Sequence, residues 1–210
     1  MYVMRVPYRK MHGTGNLILI VDQRAMQLPV PDVEMLRKLA SETSGPGFDQ
    51  LMWLTPADND TSVASYRVFN ADGSEVEQCG NGVRCVARYL AEMEDHQQEF
   101  TLQSPAGLIT ARVHSDGLVA VTMGTPQFEP TQIPFVANQA ADTYVLTVGD
   151  EDILISAVSM GNPHAVLQVA DVQSARVSEI GQRIEHHARF PKLTNVGFMH
   201  VRDRKNIDLR

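Results

Sequence analysis

A faint internal repeat restricts this chain more than any other feature of its sequence. "GTGNLILIVD" (13–22) and "MGNPHAVLQVAD" (160–171) share a glycine, an asparagine, an apolar run of strand length and a closing aspartate. Each is followed by a segment of helical character, "PDVEMLRKLASET" (31–43) and "VQSARVSEIGQRIEHHARF" (172–190), and then by a second apolar run, "DQLMWL" (49–54) and "NVGFMHV" (195–201). "YRVF" in the first half has "IDLR" (207–210) as its counterpart. Gln50 follows Asn16 by 34 residues, and Asn195 follows Asn162 by 33. A period this long means two similar units, not one continuous layer. The expected boundary divides residues 1–122 from 123–210, at the start of "MGTPQFEPTQIPF" (123–135), whose three prolines mark a connection.

Local patterns fill in the first unit. "LILIVD" (17–22) and "QLMWL" (50–54) are strand-length apolar runs, and "YRVFN" (66–70) alternates with period two. In "GNGVRCVARYLAEM" (80–93), Val83, Val86–Ala87 and Leu90 fall on one helical face. Further strands are expected at 99–103, 108–114 and 118–123. Strands interleaved with helices predict a mixed α/β (α+β) fold.

Charge and composition exclude several functions. The formal net charge is −7, and the one basic cluster, Arg202 to Lys205, is interrupted by an acid, so no footprint for nucleic acid is offered. No run approaches the roughly 20 apolar residues that span a bilayer, and "MYVMRVPYRKMHG" has no signal-peptide core. Two cysteines and no export signal point to a cytoplasmic protein with reduced thiols.

Both cysteines lie in "SEVEQCGNGVRC" (74–85). Cys79 immediately precedes the 80–93 helix, where unpaired N–H groups and the helix dipole favour negative charge. A thiol there can ionise below its ordinary value of about 8.5, and small glycines let backbone N–H groups approach a carboxylate. The alternative is a tight turn around an inert, buried cysteine. Cys85, six residues on, lies about 240° around the helix and reads as a core residue. The pair does not have the spacing of a disulfide or redox motif, and zinc would need two further ligands that the seven histidines do not offer at paired spacing.

Asn16, Gln50, Asn70, Asn81, Asn162 and Asn195 recur at strand ends and loops in both halves. Singly, such amides are turn formers. As a set they can hold a zwitterionic ligand through donors and acceptors without adding charge. His164 is either a satisfied core histidine or a group that tunes a nearby thiol.

"KMHGTGN", "GFDQL", "FNADGSEVEQCGNGVRC", "SMGNPH" and "NVGFM" stand in the order found in the diaminopimelate epimerases, and the chain resembles that family over essentially its whole length. The related proline racemase-like enzymes carry histidine in the loop where this chain has Asn81, which favours the epimerases. The resemblance implies two similar domains, each a curved sheet or barrel wrapped around a central helix, with substrate between them. It implies inversion at the α-carbon by two cysteines on opposite faces, one thiolate and one thiol, with no pyridoxal phosphate, other cofactor or metal. By motif, Cys79 is the first-domain acid/base; Asn16, Gln50, Asn70, Gly80, Asn81, Asn162 and Asn195 bind diaminopimelate; and His164 influences the cysteines. The implied activity is epimerisation of LL- to meso-diaminopimelate for lysine and peptidoglycan precursors, by a cytoplasmic homodimer.

Two departures from the family pattern carry expectations. Leu17 replaces an acid in the commoner Gly-Leu-Gly-Asn-Asp-Phe. The second cysteine of the family, with a preceding Glu-Arg pair, would fall after Arg210, so the second domain is expected to be incomplete and the chain as given inactive. Competing functions are a non-catalytic amino-acid-binding fragment, a racemase of another amino acid, and a thiol redox protein using Cys79 and Cys85. The binding fragment predicts ligand binding without proton exchange; the redox protein predicts a mass change that depends on oxidant.

Overall fold

The computed structural model describes residues 5–26, 28–94 and 97–210, in two units, Met1–Met123 and Gly124–Arg210. The first unit contains β1 (Arg9–Gly13), β2 (Asn16–Asp22), α1 (Val33–Ala40), β3 (Gln50–Thr55), β4 (Ala64–Asn70), β5 (Glu75–Val76), α2 (Gly80–Met93), β6 (Glu99–Ser104), β7 (Gly107–Val113) and β8 (Val119–Val121). The strands form one sheet in the order β1-β2-β3-β4-β6-β7-β8, with β5 paired to β4. Helix α2 touches β1, β2 and β3 near one end of the sheet and β7 and β8 at the other, so the sheet curls around it.

Side-chain alternation explains this wrapping. Along β2, Ile18 and Ile20 join the core around α2, while Leu19 and Val21 face the opposite way. Met52 and Leu54 repeat this on β3, with Leu51 and Trp53 on the other side. Strands buried on both faces read as continuous apolar runs, as these do. On α2, Val83, Val86, Ala87 and Leu90 are all completely buried, the helical face that their spacing predicts. The outer face of the sheet is covered by α1, whose Leu36 packs with Leu19, Val21, Phe48 and Trp53. Asp32 caps α1 by accepting from Met35 N–H at 2.8 Å.

The second unit contains β9 (Tyr144–Val148), β10 (Glu151–Ser159), β11 (Pro163–Gln168), α3 (Gln182–Glu185), β12 (Asn195–Val201) and β13 (Ile207–Leu209), in the sheet order β13-β12-β11-β10-β9. Its core lies on one face, where Ile155, Ala157, Ala165, Leu167 and Phe198 meet Ile133, Phe135, Ile184 and Phe190. Among the described residues a helix enclosed by its sheet is found in the first unit alone.

The repeat is present in the strand pairing. Strands β1 to β4 pair antiparallel, parallel and antiparallel, and so do β10 to β13. Even the register agrees: Ile18, two residues after Asn16, faces Gln50, and His164, two residues after Asn162, faces Asn195.

Other expectations need correcting. The segment 172–190 is not one helix. A π-type turn at Val177–Gly181 leads into the single turn of α3, and the chain leaves helical geometry at His186. Asp171 bonds the N–H groups of Gln173 and Ser174, holding the start in a turn, and Gly181 weakens the middle. Val172, Ile184 and Phe190 are its deeply buried side chains, and of these Ile184 alone lies within the helical turns. Strands β1, β5, β9 and β10 are additions to the elements expected; β9 and β10 join through Gly149-Asp150, with Gly149 at φ +66°. No helix among the described residues is long and apolar enough to cross a membrane.

Leu90→Ala removes a fully buried side chain from the helix that the sheet encloses and is expected to cost about 2–5 kcal/mol. The single tryptophan, Trp53, lies in the same unit, so urea titration followed by its fluorescence reports the loss.

Candidate functional site

Cys79 is the N-cap of α2, in extended backbone (φ −142°, ψ 103°). It is delivered there by β5, which pairs with β4 through Val76–Val68 and Glu75–Phe69. Arg67 and Glu75 clamp that pairing with two hydrogen bonds of 2.7 and 2.6 Å. The half-buried Cys79 Sγ accepts from Gly82 N–H at 3.2 Å, in the manner of a capping side chain. The thiol donates to Gln50 Oε1 at 2.7 Å.

The amides expected to act together in this unit are joined. Asn16 Nδ2 donates to Gln50 Oε1 at 3.0 Å, and Gln50 Nε2 donates to Asn70 Oδ1 at 3.1 Å. They meet because Asn16 and Gln50 begin the parallel strands β2 and β3, while Asn70 ends β4 opposite Gln50. Asn81 stands apart from this chain of amides. Its Oδ1 accepts from Thr14 Oγ1 at 3.2 Å and, more closely, from Arg84 Nη2. Gly13 passes so near that a Cβ there would lie 3.1 Å from both Cβ and O of Asn81. Gly82 has no room either, since a Cβ would sit 2.3 Å from Met52 Sδ. The N–H of Gly80 has no hydrogen-bond partner among the described residues.

The expected acidification of Cys79 is not found. Burial pushes its pKa up, and this outweighs the Gly82 and Asn81 N–H groups and the Arg84 guanidinium, all of which favour thiolate. Cys85 is a buried core residue, raised by burial to about 11. Both are free thiols.

In the second unit, His164 Nε2 lies 2.9 Å from Asn162 Oδ1, and Asn195 Nδ2 donates to the Pro163 carbonyl at 3.2 Å. The three residues cluster at the starts of parallel strands β11 and β12, the positions that Asn16 and Gln50 mark in the first unit. Burial lowers the His164 pKa, so the ring is neutral at pH 7.

Sequence reasoning passed over Thr14 and Arg84. Thr14 adopts φ +52°, an uncommon conformation for a β-branched residue, between Gly13 and Gly15. Its signal was the departure of "GTGN" from the commoner Gly-Leu-Gly-Asn. Nothing in the periodicity of the 80–93 helix singles out Arg84.

A site built on Cys-Gly-Asn-Gly at a helix start, with paired amides at the neighbouring strand ends, has close relatives. The family model described as diaminopimelate epimerase matches residues 8–129 and 156–210. The chain belongs to the diaminopimelate epimerase family. It is 44% identical over 209 residues to the diaminopimelate epimerase of Nitrosospira multiformis, covering 99% of this chain and 74% of that protein. The enzyme of Ectopseudomonas mendocina is 43% identical over 208 residues, covering 99% and 75%. Among solved structures, a probable proline racemase from Agrobacterium radiobacter K84 superposes with TM-score 0.67 at 18% identity, over 98% of this chain and 69% of the other. A hydroxyproline epimerase from Agrobacterium vitis gives 0.63 at 18%, over 96% and 68%. These two share the fold of the diaminopimelate epimerase family, the mixed α/β fold expected.

Iodoacetamide at pH 8 on the native protein should label Cys79 well before Cys85. Because Cys79 ionises above the ordinary thiol range, its rate should still be climbing at pH 9. Peptide mass spectrometry separates the two sites; a rate already flat at pH 8 would contradict the raised value.

Proposed function

We propose that this chain acts on diaminopimelate as an isomerase, with Cys79 moving the α-proton between the LL- and meso-forms. The supporting observation is the placement of Cys79 as N-cap of α2, beside Gly80 and Asn81 and hydrogen-bonded to Gln50. An amino-acid α-hydrogen is far less acidic than a thiol. Sγ can take that proton only if the negative charge spreading onto the substrate carboxylate is stabilised as it forms. N–H groups at a helix start provide oriented donors for that purpose. In the direction where Cys79 is the base it must first be the thiolate. The Cα–H bond breaks, its electron pair moves toward the carboxylate, and the proton passes to the thiolate Sγ, giving the thiol. A second acid on the opposite face then returns a proton to Cα, and in the reverse direction the Cys79 thiol is the donor. No cofactor is called on.

Asn16, Gln50, Asn70, Asn81, Asn162 and Asn195, with the Gly80 backbone, bind the substrate in this reading. Neutral amides suit a ligand that carries ammonium and carboxylate groups at both ends, because they supply donors and acceptors without a net field. His164, neutral at pH 7, tunes the reacting thiols. A cytoplasmic location and a homodimer complete the proposal. Light scattering tests the dimer.

In deuterated water, diaminopimelate should gain deuterium at the α-carbon as it inverts. Cys79→Ala should lower that rate by about a hundredfold to ten-thousandfold, the usual contribution of a positioned acid/base group. A second reading, substrate binding without exchange, is favoured by one observation: Cys85 is buried, so Cys79 is the accessible thiol of this chain. Saturable binding by calorimetry with no deuterium uptake would select it.

A further inference from the structure

The hydrogen bonds around Gln50 have a fixed sense, and a carboxylate outside the expected site sets it. Asp72 is an obligate acceptor when ionised. Ser74 Oγ donates to Asp72 Oδ1 at 2.6 Å, and Ser74 N–H donates to the same oxygen at 2.8 Å. With its proton committed there, Ser74 Oγ accepts from Asn70 Nδ2 at 3.1 Å. Asn70 must then turn its carbonyl toward Gln50, and it accepts from Gln50 Nε2 at 3.1 Å. Gln50 is left with Oε1 facing Cys79 Sγ at 2.7 Å. Asn16 Nδ2 donates to the same Oε1, which reinforces the orientation.

An amide oxygen facing a sulfur at that distance has opposite consequences for its two protonation states. A thiol satisfies it by donating S–H, while Sγ still accepts from Gly82 N–H. A thiolate would meet a lone pair with no proton between. We infer that Asp72 and Ser74 are positioning residues that, through Asn70 and Gln50, hold Cys79 in its thiol form. Hydrogen bonding within the Asp72 turn, chiefly from Ser74, also keeps that carboxyl below the usual carboxylate range, so it is ionised at neutral pH. Arg84 and the helix start act in the other direction. The resting thiol is therefore a proton donor until Gln50 is turned or displaced. That consequence for proton transfer rests on the proposed acid/base role, whereas alkylation reports on the thiol itself.

The test measures iodoacetamide labelling of Cys79 in the native full chain at pH 7.5, resolved from Cys85 by peptide mass spectrometry. In Ser74→Ala the relay loses its anchor, Asn70 and Gln50 are free to reverse, and the Gln50 amine can face a thiolate. The Cys79 rate should rise about tenfold, as expected when one hydrogen bond to an ionised group is gained. Ser74→Thr keeps the hydroxyl and should restore the wild-type rate. Asn70→Asp keeps an obligate acceptor against Gln50 and should not exceed it. Ser74 and Asp72 are both exposed, and Asp72→Ala, which leaves Ser74 Oγ no acceptor at this position, gives an independent removal of the anchor with the same expected rise. A Ser74→Ala rate within twofold of wild type, in protein of unchanged thermal midpoint, would overturn the relay. So would an equal rise in Ser74→Ala and Ser74→Thr, which would mark general loosening of the turn.

Discussion

The burial of α2 inside its own sheet is the constraint on which the first unit depends. Four of its side chains, Val83, Val86, Ala87 and Leu90, have no exposure to solvent. Fully burying a Val or Leu contributes about 1.5–3 kcal/mol, and none of it is gained unless the sheet closes around the helix. The sheet in turn buries Ile18, Met52, Tyr66, Phe100 and Ile109 against α2. Neither half of this arrangement has a dry surface without the other. One consequence is positional: with the helix axis held by contacts along its length, the place of its first residue is set to within the packing tolerance of a protein core.

That first turn carries Cys79, and its electrostatics are a contest. The helix start, the Gly82 and Asn81 N–H groups and Arg84 favour a thiolate at Cys79. Burial and the carbonyl of Gln50 favour a thiol. Burial prevails in setting the direction of the pKa. Such opposition suits the proposed acid/base role, because either state lies within reach of a small rearrangement. Space around it is short: a methyl group at Gly82 would overlap Met52 Sδ, and one at Gly13 would press on Asn81.

Much of this could be read in the residues. The α2 face followed from the 83, 86–87 and 90 spacing, and its cap from a cysteine followed by Gly-Asn-Gly. The repeat, seen as two similar strings of glycine, asparagine and apolar residues, reappears as identical strand polarity and register. Segment 172–190 reads as one helix by propensity, whereas its Ile184 and Phe190 are anchored in the core of the second sheet. The ionisation of Cys79 was misjudged for a related reason: a helix start is visible in sequence, but the depth at which it is buried is not.

The residues by themselves determined most elements of the first unit, the doubled plan and the set of polar side chains at strand ends, because periodicity, capping and turn chemistry act over a few neighbouring positions. Tertiary structure decided which of those side chains meet. Asn16, Gln50 and Asn70 lie on three strands and become one hydrogen-bonded row only when those strands pair in register. It also decided the sense of that row, anchored at Asp72, and the balance at Cys79. Solvent exclusion and hydrogen-bond direction depend on groups far apart in sequence, and only the folded chain brings them to the same few ångströms.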